Sequence, residues 1–189
     1  MPFNITAPGA YVFRGNLSYG GNSNAITINT PLPGPLIVDL ESYTLNGNNG
    51  AGVGVFISTP SGNPNSDSIT IRNGIIQNFN QGIVTQNPNY TPAINGYFTK
   101  IHINNIVFNN DSGGVAFYRT NSSTVSDCVF TNVEFGIGDN QSQGGSTYIN
   151  DVFNGFISGQ FAGLSFSGLF ISGNTPYTVE HCHFEAPTN

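Results

Sequence analysis

The chain carries short stretches in which apolar and polar residues alternate, and these stretches recur along the sequence. Ile69 and Ile71 alternate with polar neighbours, as do Ile101 and Ile103. Alternation of this kind indicates a β-strand with one buried face. After each stretch comes a polar residue, then an aromatic or aliphatic residue, and then a glycine followed by an apolar residue. The recurring polar positions are Ser42, Asn73, Asn105, Asp127, Asp151 and His181.

This recurrence predicts a β-solenoid. The polar positions follow one another at intervals of about 22 to 32 residues, without helical periodicity. Repeats of that length are typical of stacked coils, each of which buries its apolar face against the next. Asn residues at one repeat position then form a ladder of amide hydrogen bonds. We predict one all-β domain over residues 1–189, with a lead-in segment 1–20, about six to seven coils over 21–185 and a tail 186–189.

Composition agrees with an all-β domain and excludes two kinds of partner. Only 7% of residues are charged, while the chain holds 15 Phe and 8 Tyr, which argues against disorder. Four basic residues and a net charge of −6 leave no footprint for phosphate, so we expect no nucleic-acid partner. No apolar run is long enough to span a membrane. No signal peptide is visible, yet the polar, weakly charged composition favours an extracellular, cell-surface or virion location over the cytoplasm.

Three parts of the sequence resemble one known superfamily. The opening segment 8–17, the strand Ile37-Val38-Asp39-Leu40 and the repeated Ile-x-Asn-x-x-Phe coils look like the pectin-lyase-like superfamily. The resemblance covers about residues 8 to 185 and implies a single-stranded right-handed parallel β-helix. It implies less about activity, because this superfamily includes lyases, hydrolases, epimerases, phage tailspikes and non-catalytic surface proteins.

One group of charged residues is a candidate catalytic site. In the predicted register Glu41 and Arg72 are cross-strand neighbours on the outer face, and Asp39, Lys100 and His102 lie nearby. Lyases of the resembled superfamily hold Ca²⁺ with carboxylates against an acidic sugar and use Arg or Lys as the base. The resemblance implies Asp39 and Glu41 as Ca²⁺ ligands and Arg72 or Lys100 as the base, with His102 beside them. The alternative is a surface ion pair worth about 0.2 to 1 kcal/mol.

Another row of positions argues against catalysis. In the resembled pectate lyases, the catalytic strand lies two turns away from the Asn bend. The corresponding strands here contain the glycine-apolar pairs, and their outward residues are Val84, Ala116 and Gly138. None of these residues can ionise. The paired Asp, His and Arg/Lys motifs of the superfamily's polygalacturonases also have no match.

The acidic residues at the bend allow two interpretations. If Asp127 and Asp151 stack in the ladder, they form a buried carboxylate pair suited to acid–base chemistry. Alternatively, each Asp replaces an Asn in the ladder and accepts hydrogen bonds from turn N–H groups.

Residues near the C-terminal end raise the question of a metal site. His181 and His183 alternate along one predicted strand, and with Glu185 they have the ligand types that Zn²⁺ prefers. Against a metal site, no second cluster of such residues occurs in the sequence. Cys128 and Cys182 are predicted two coils apart, at about 9.6 Å, which is too far for a disulfide. We therefore expect two free thiols.

The ends of the predicted solenoid bear on function. A solenoid exposes an unpaired strand edge and part of its core at each end unless something covers them. No amphipathic helix is predicted at either end, so we expect a homo-oligomer or a larger assembly. The primary interpretation is a non-catalytic structural or attachment module of a virion or cell surface, with glycan as a candidate ligand and no cofactor. The alternative is a carbohydrate-active enzyme, a Ca²⁺-assisted polysaccharide lyase acting on acidic glycans.

Overall fold

The computed structural model describes residues 2–58, 68–86, 98–140, 145–154, 169–172 and 176–185, and β-strands are the only regular secondary structure within them. The strands up to residue 86 are β1 (Phe3–Ile5), β2 (Gly9–Val12), β3 (Leu17–Ser18), β4 (Ile26–Asn29), β5 (Leu36–Asp39), β6 (Thr44–Asn46), β7 (Val53–Ser58), β8 (Ile69–Gln77) and β9 (Gln81–Gln86). The strands from residue 98 onward are β10 (Phe98–Thr99), β11 (Ile101–Asn109), β12 (Gly113–Tyr118), β13 (Thr120–Asn121), β14 (Thr124–Ser126), β15 (Val129–Thr131), β16 (Phe135–Asn140), β17 (Thr147–Ile149), β18 (Val152–Asn154), β19 (Leu169–Ser172), β20 (Thr178–Glu180) and β21 (His183–Phe184).

Two long parallel sheets contain almost all of these strands. Sheet A has seven strands in the order β1-β4-β7-β9-β12-β16-β19. Sheet B has twelve strands, and its main path is β2-β5-β8-β11-β14-β17-β20, while β10 pairs only with β13. Every neighbouring pair is parallel. The all-β prediction is confirmed, and strands that return to each sheet in turn are compatible with a β-solenoid. None of the described residues forms a helix long and apolar enough to cross a membrane.

The core is built from rows, each row being the residues that pair at one position from coil to coil. The row that we call the Phe row lies in sheet B, and its aromatic rings stack almost parallel. Ring centroids are 4.9 Å apart for Phe108 and Phe130, 4.8 Å for Phe130 and Phe153, and 4.7 Å for Phe153 and Phe184. The whole Phe row is Leu17, Leu45, Ile76, Phe108, Phe130, Phe153 and Phe184.

The glycines that precede the apolar residues of sheet A leave room for the rings of the Phe row. A Cβ atom added to Gly82 would lie 2.6 Å from Cδ1 of Phe108, and one added to Gly114 would lie 2.5 Å from Cδ1 of Phe130. Real Cβ atoms do not approach other atoms so closely, so the ring and a larger residue exclude each other. Gly54 occupies the same position one coil before Gly82, because Val55, which follows Gly54, lies opposite Ile83, which follows Gly82.

The polar residues of the predicted ladder share a left-handed backbone conformation, with one correction. Asn73, Asn105, Asp127, Asn150 and His181 have φ values of 60°, 54°, 54°, 54° and 53°. The prediction that Asp151 stands in this row is wrong, because Ser126 lies opposite Ile149 and the next position therefore falls on Asn150. The Asn105 amide donates to Asn73 at 3.1 Å and the Asn150 amide donates to Asp127 at 3.1 Å, so ladder bonds do form.

The bend after β5 also differs from its prediction. Asp39 lies opposite Arg72 and Thr44 lies opposite Ile75. Four residues lie between Asp39 and Thr44, whereas only two lie between their partners Arg72 and Ile75 in the next coil. The longer bend places Glu41 at a left-handed φ of 49° beyond the end of β5. Glu41 is therefore not the cross-strand neighbour of Arg72.

A second asparagine ladder, which the sequence pattern did not reveal, runs along the next bend. Asn78, Asn110 and Asn132 all have left-handed φ values, of 61°, 55° and 52°. The Asn78 amide donates to Asn46 at 3.0 Å, and the Asn110 amide donates to Asn78 at 3.5 Å. Both rows of bends thus consist mainly of Asn residues, which tolerate this conformation.

Candidate functional site

Asp39 and Arg72 form the centre of the predicted charged group. Arg72 Nε donates to Asp39 Oδ2 at 2.7 Å, and the Asn73 amide donates to Asp39 Oδ1 at 3.1 Å. The Glu41 backbone N–H donates to Asp39 Oδ1 at 3.0 Å. Asp39 itself is buried, whereas the Arg72 side chain is 43% exposed. The structure thus surrounds one carboxylate with three donors.

These contacts determine the charge of Asp39. Burial acts to raise the pKa of Asp39, but the Glu41 N–H, the Arg72 guanidinium and the Asn73 amide together hold that pKa below its usual value. Arg72 already donates its Nε–H to this carboxylate, and a guanidinium has donors but no acceptor atom. Arg72 is therefore placed to hold Asp39 and not to accept a proton as a base.

Lys100 and His102 lie farther along the same outer face. His102 lies opposite Thr70 and Thr124, two residues before Asn104, which is the residue opposite Arg72. Lys100 precedes β11 in a left-handed conformation with φ of 56°. Burial lowers the pKa of His102, and the charge of Lys100 lowers it further. His102 is therefore a neutral side chain near neutral pH.

The residues proposed as Ca²⁺ ligands fit that ion poorly. Ca²⁺ takes six to eight oxygen ligands, whereas both oxygens of Asp39 already accept hydrogen bonds from Arg72 and Asn73. The described part of the chain contains no group of three or more His, Cys, Asp or Glu residues that could hold a metal. A Ca²⁺ ion would have to displace Arg72 from Asp39 to bind there.

The histidines near the C-terminal end are not aligned on one strand. His181 lies at the bend, and β21 begins at His183. His183 Nε2 lies 3.3 Å from Glu185 Oε1, and both side chains are more than half exposed. This exposed contact is the only feature of the predicted Zn²⁺ group that the geometry reproduces among the described residues.

The two cysteines lie two coils apart as predicted, and both are free. Asp151 belongs to the coil between them, since Ile149 lies opposite Ser126 of the coil that contains Cys128 and opposite Glu180 of the coil that contains Cys182. The Cys128 N–H donates to Asp151 Oδ1 at 2.9 Å. Asp127 is exposed whereas Asp151 is buried. The predicted stacked pair of buried carboxylates is therefore wrong.

Asp111 and Asp151 form a different pattern, in which a buried carboxyl group bridges two coils. Each follows an asparagine in the left-handed conformation and accepts an N–H from the preceding coil, Asp111 from Phe79 at 2.8 Å and Asp151 from Cys128. The Oδ2 atoms of both have no hydrogen-bond partner among the described residues. Burial raises the pKa of Asp111 to about 8 and that of Asp151 to about 7. An Asn-Asp dipeptide at a bend is the sequence signal for this pattern.

A further polar pair lies inside the core. With Asp151 at the bend, the sequence pattern predicts Ile149 on the inner face and Tyr148 on the outer face. That prediction is wrong, because Tyr148 is fully buried and its hydroxyl donates to Asp139 Oδ2 at 2.5 Å. Burial raises the pKa of Tyr148, and the charge of Asp139 raises it further. The hydroxyl therefore remains a protonated donor, which satisfies a polar group that burial would otherwise penalise.

The outer row of sheet A contains the inert residues expected there. Val84, Ala116 and Gly138 lie opposite one another on β9, β12 and β16. Val84 and Ala116 are themselves buried, although they lie outside the core cluster to which their chain neighbours Ile83 and Val115 belong. This row offers no group that could act as an acid, a base or a nucleophile.

A polar surface pocket lies beside the second asparagine ladder. Its volume is about 320 Å³. Its lining is uncharged and rich in amide groups, and consists of Asn49, Gly50, Ala51, Asn78, Phe79, Asn80, Asn110 and Ser112. Amide donors and acceptors in an uncharged pocket suit a neutral polar ligand.

Both ends of the stack expose apolar side chains that continue the core rows. Leu17 begins the Phe row and is 49% exposed, and Phe184 ends it and is also 49% exposed. Val179 of β20 is 44% exposed, and Phe3 of β1 is 53% exposed. Among the described strands, β20 pairs only with β17 and β2 pairs only with β5. Comparisons with protein-family models, with curated proteins and with solved structures found no match.

Proposed function

We propose that this protein is a right-handed parallel β-helix that serves as a non-catalytic structural module of a virion or cell-surface assembly, joined to that assembly through its ends. One observation carries the proposal: core rows run through the stack and stop at exposed apolar side chains on both ends. An unpaired strand edge beside an exposed apolar side chain is a surface suited to pairing with another chain.

The chemistry of the outer faces supports a structural role. The carboxylate of Asp39 is occupied by its own donors, one of which is the Arg72 Nε–H. The outer row of sheet A consists of apolar residues and glycine over β9, β12 and β16. Within the described ranges, neither of these two groups of residues pairs an acid with a base as polysaccharide cleavage requires.

The exposed ends can be detected with a dye that binds apolar surface, such as ANS. At dilutions where the protein is monomeric, we expect ANS fluorescence to increase with protein, and Leu17→Glu and Phe184→Glu each to reduce that increase. Tyr118→Glu is the matched control, because Tyr118 is 39% exposed on the middle strand β12 rather than at an end. Absence of ANS binding by the wild-type protein, or an equal reduction by the control, would contradict the proposed ends.

The pocket beside the second asparagine ladder supports glycan binding as an accompanying role. The side chains of Asn49, Asn80 and Ser112 line this pocket and offer donors and acceptors to sugar hydroxyls. The uncharged lining favours neutral sugars over acidic ones. Asn80 is exposed in this pocket, so Asn80→Ala is expected to weaken binding of a neutral oligosaccharide without unfolding the chain.

A screen of acidic and neutral oligosaccharides, with and without EDTA, separates these roles from the lyase alternative. We expect no unsaturated product from any substrate under either condition. Product that forms without EDTA and disappears in both Asp39→Asn and Arg72→Ala would instead establish a Ca²⁺-assisted lyase. Binding measured by calorimetry in the same samples tests the glycan role, and Asn80→Ala serves as its control.

A further inference from the structure

We propose that the partner at each end is a second copy of this chain, stacked head to tail, with the C-terminal end of one copy against the N-terminal end of the next. This inference rests on the proposed structural function and names the partner. The two ends match each other in side-chain rows, in backbone polarity and in charge.

The side-chain rows give the first match. Three rows of inward residues each have one member in every one of the seven coils that the described strands form. Both ends of the stack therefore present a residue of each row, at the same place on the end surface. Beside the Phe row, one row of sheet A is Phe3, Ile26, Val55, Ile83, Val115, Ile137 and Leu169. A row of sheet B is Tyr11, Val38, Ile71, Ile103, Val125, Tyr148 and Val179.

When a second copy is placed with its first coil on the last coil of the first copy, each row continues across the contact with an apolar residue on both sides. Leu17 of the second copy would cover Phe184, and Tyr11 would cover Val179. Phe3 would cover Leu169 in the same way. Phe184 and Leu17 are each 49% exposed, and Phe3 is 53% exposed. Stacking buries these side chains in the environment that their rows have in the middle of the protein.

The backbone gives the second match, which begins with the direction of the bonds inside the stack. In sheet B the inward residues of a coil bond to the coil that follows. The Leu36 N–H donates to the Ser68 carbonyl and the Leu40 N–H donates to the Arg72 carbonyl, both at 2.9 Å. In a parallel sheet, successive residues of a strand direct their backbone N–H and C=O groups alternately to the strand on one side and to the strand on the other. Outward residues therefore bond to the coil that precedes.

This alternation leaves complementary groups free at the two ends. The Thr178 N–H donates to the Ser146 carbonyl, just before β17, at 3.1 Å, so the adjacent Val179 directs its N–H and carbonyl away from the stack. The Gly9 N–H donates to the Pro35 carbonyl, just before β5, at 3.0 Å, so the adjacent Ala10 directs its N–H and carbonyl away from the stack at the opposite end. In the stacked pair Val179 would bond to Ala10 of the second copy and continue the parallel ladder. Two like ends could not do this in parallel.

Charge gives the third match. The C-terminal end carries Glu180 and Glu185, both exposed, and the N-terminal end carries Arg14, also exposed. Arg14 is the only basic residue before Arg72 in the sequence. Glu180 would lie over Val12 of the second copy, two residues from Arg14, which is within reach of a long side chain. Two C-terminal ends would instead place like charges together.

A head-to-tail contact uses different surfaces of the two copies, so it repeats without closing and produces a linear stack. Light scattering after size exclusion is expected to give a mass that rises with wild-type concentration, and electron microscopy is expected to show rods. Phe184→Glu and Leu17→Glu should each weaken self-association about tenfold or more, since each buries a charge in the contact. Tyr118→Glu should associate like the wild type.

Mixing the two variants tests the polarity. Phe184→Glu retains a free N-terminal end and Leu17→Glu retains a free C-terminal end, so each is expected to be a monomer alone. Their mixture is expected to form a one-to-one dimer and nothing larger. A dimer of Leu17→Glu alone would show that like ends pair, and would overturn the proposal. Circular dichroism of each variant confirms that it is folded.

The outcome also separates this inference from the proposed function. A wild-type protein that stays monomeric at every concentration, yet binds ANS through its ends, would overturn self-stacking and leave the structural role in place. Lyase activity in the oligosaccharide screen would overturn the structural role whatever the state of assembly.

Discussion

Replacing Phe130 by alanine is expected to lower the free energy of unfolding by about 3 to 5 kcal/mol. The ring is fully buried between Phe108 and Phe153, with centroids 4.9 and 4.8 Å away. It also lies against Gly114, where even a Cβ atom would come within 2.5 Å of the ring. Because rings on both sides are held by their own coils, the surroundings cannot collapse into the cavity. Urea unfolding measures the loss as a lower midpoint at unchanged slope.

Phe184→Ala is the matched control for this prediction. Phe184 stacks on Phe153 at 4.7 Å but is 49% exposed at the end of the same row. Its removal leaves an open surface instead of a cavity, so we expect a loss of about 1 kcal/mol. Equal losses for Phe130→Ala and Phe184→Ala at monomeric dilution would contradict the view that the middle of the Phe row is a closely packed core.

The recurrence in the sequence was sufficient to predict the all-β class and most of the register. Ile71 and Ile103 lie opposite each other as expected, and so do Phe108 and Phe130. The reason is physical: each coil needs an inward apolar residue at the same place to bury against its neighbours. Handedness does not follow from these patterns, since they describe which residues face inward and not the direction in which the chain winds.

The register fails where two residues compete for one position. Tyr148 and Ile149 are both apolar enough to face the core, and Asn150 and Asp151 both suit a bend. A slip by one residue exchanges the faces of a strand, and the sequence pattern chose Ile149 as the inward residue. The structure turns Tyr148 inward, where its hydroxyl reaches the buried Asp139. That partner lies on another strand, so local alternation could not reveal it.

Only part of the candidate site could be predicted from the sequence, because the repeat pattern does not fix the length of each bend. The coil spacing placed Asp39 near Arg72 but predicted Glu41 as the cross-strand neighbour of Arg72, whereas the structure pairs Asp39 with Arg72 at 2.7 Å. The position of Glu41 beyond the end of β5 could not be predicted from the sequence. The bend after Asp39 is two residues longer than the bend after Arg72, and the repeat pattern does not show where those two residues are inserted. Asp111 was overlooked because an Asp after an Asn resembles an ordinary polar turn. Only the fold shows that its side chain is directed inward.

The two bridging carboxyl groups set the pH dependence that we expect. Asp111 and Asp151 have an ordinary pKa of 3.8 when unfolded and about 8 and about 7 when folded. Between these values the folded chain holds protons that the unfolded chain releases. Their contribution to stability is therefore complete below about pH 4 and is lost as the pH rises through 7 to 8. Asp39, whose pKa is lowered, acts in the opposite direction and loses its contribution as the pH falls below 4.

The free energy of unfolding is thus expected to fall by a few kcal/mol between about pH 5 and pH 8.5, since each pKa unit corresponds to about 1.4 kcal/mol. Asp111→Asn keeps an acceptor for the Phe79 N–H but cannot ionise, so its stability should fall much less over this range. Asp111→Asn with Asp151→Asn should show no such fall, and His102, whose pKa is lowered, should instead make the stability of this double variant rise with pH. Asp127→Asn is the control, because Asp127 is exposed at the same kind of bend. Urea unfolding at each pH measures these slopes. A slope for Asp111→Asn as steep as that of the wild type would show that the buried carboxyl group does not hold its proton in the folded chain.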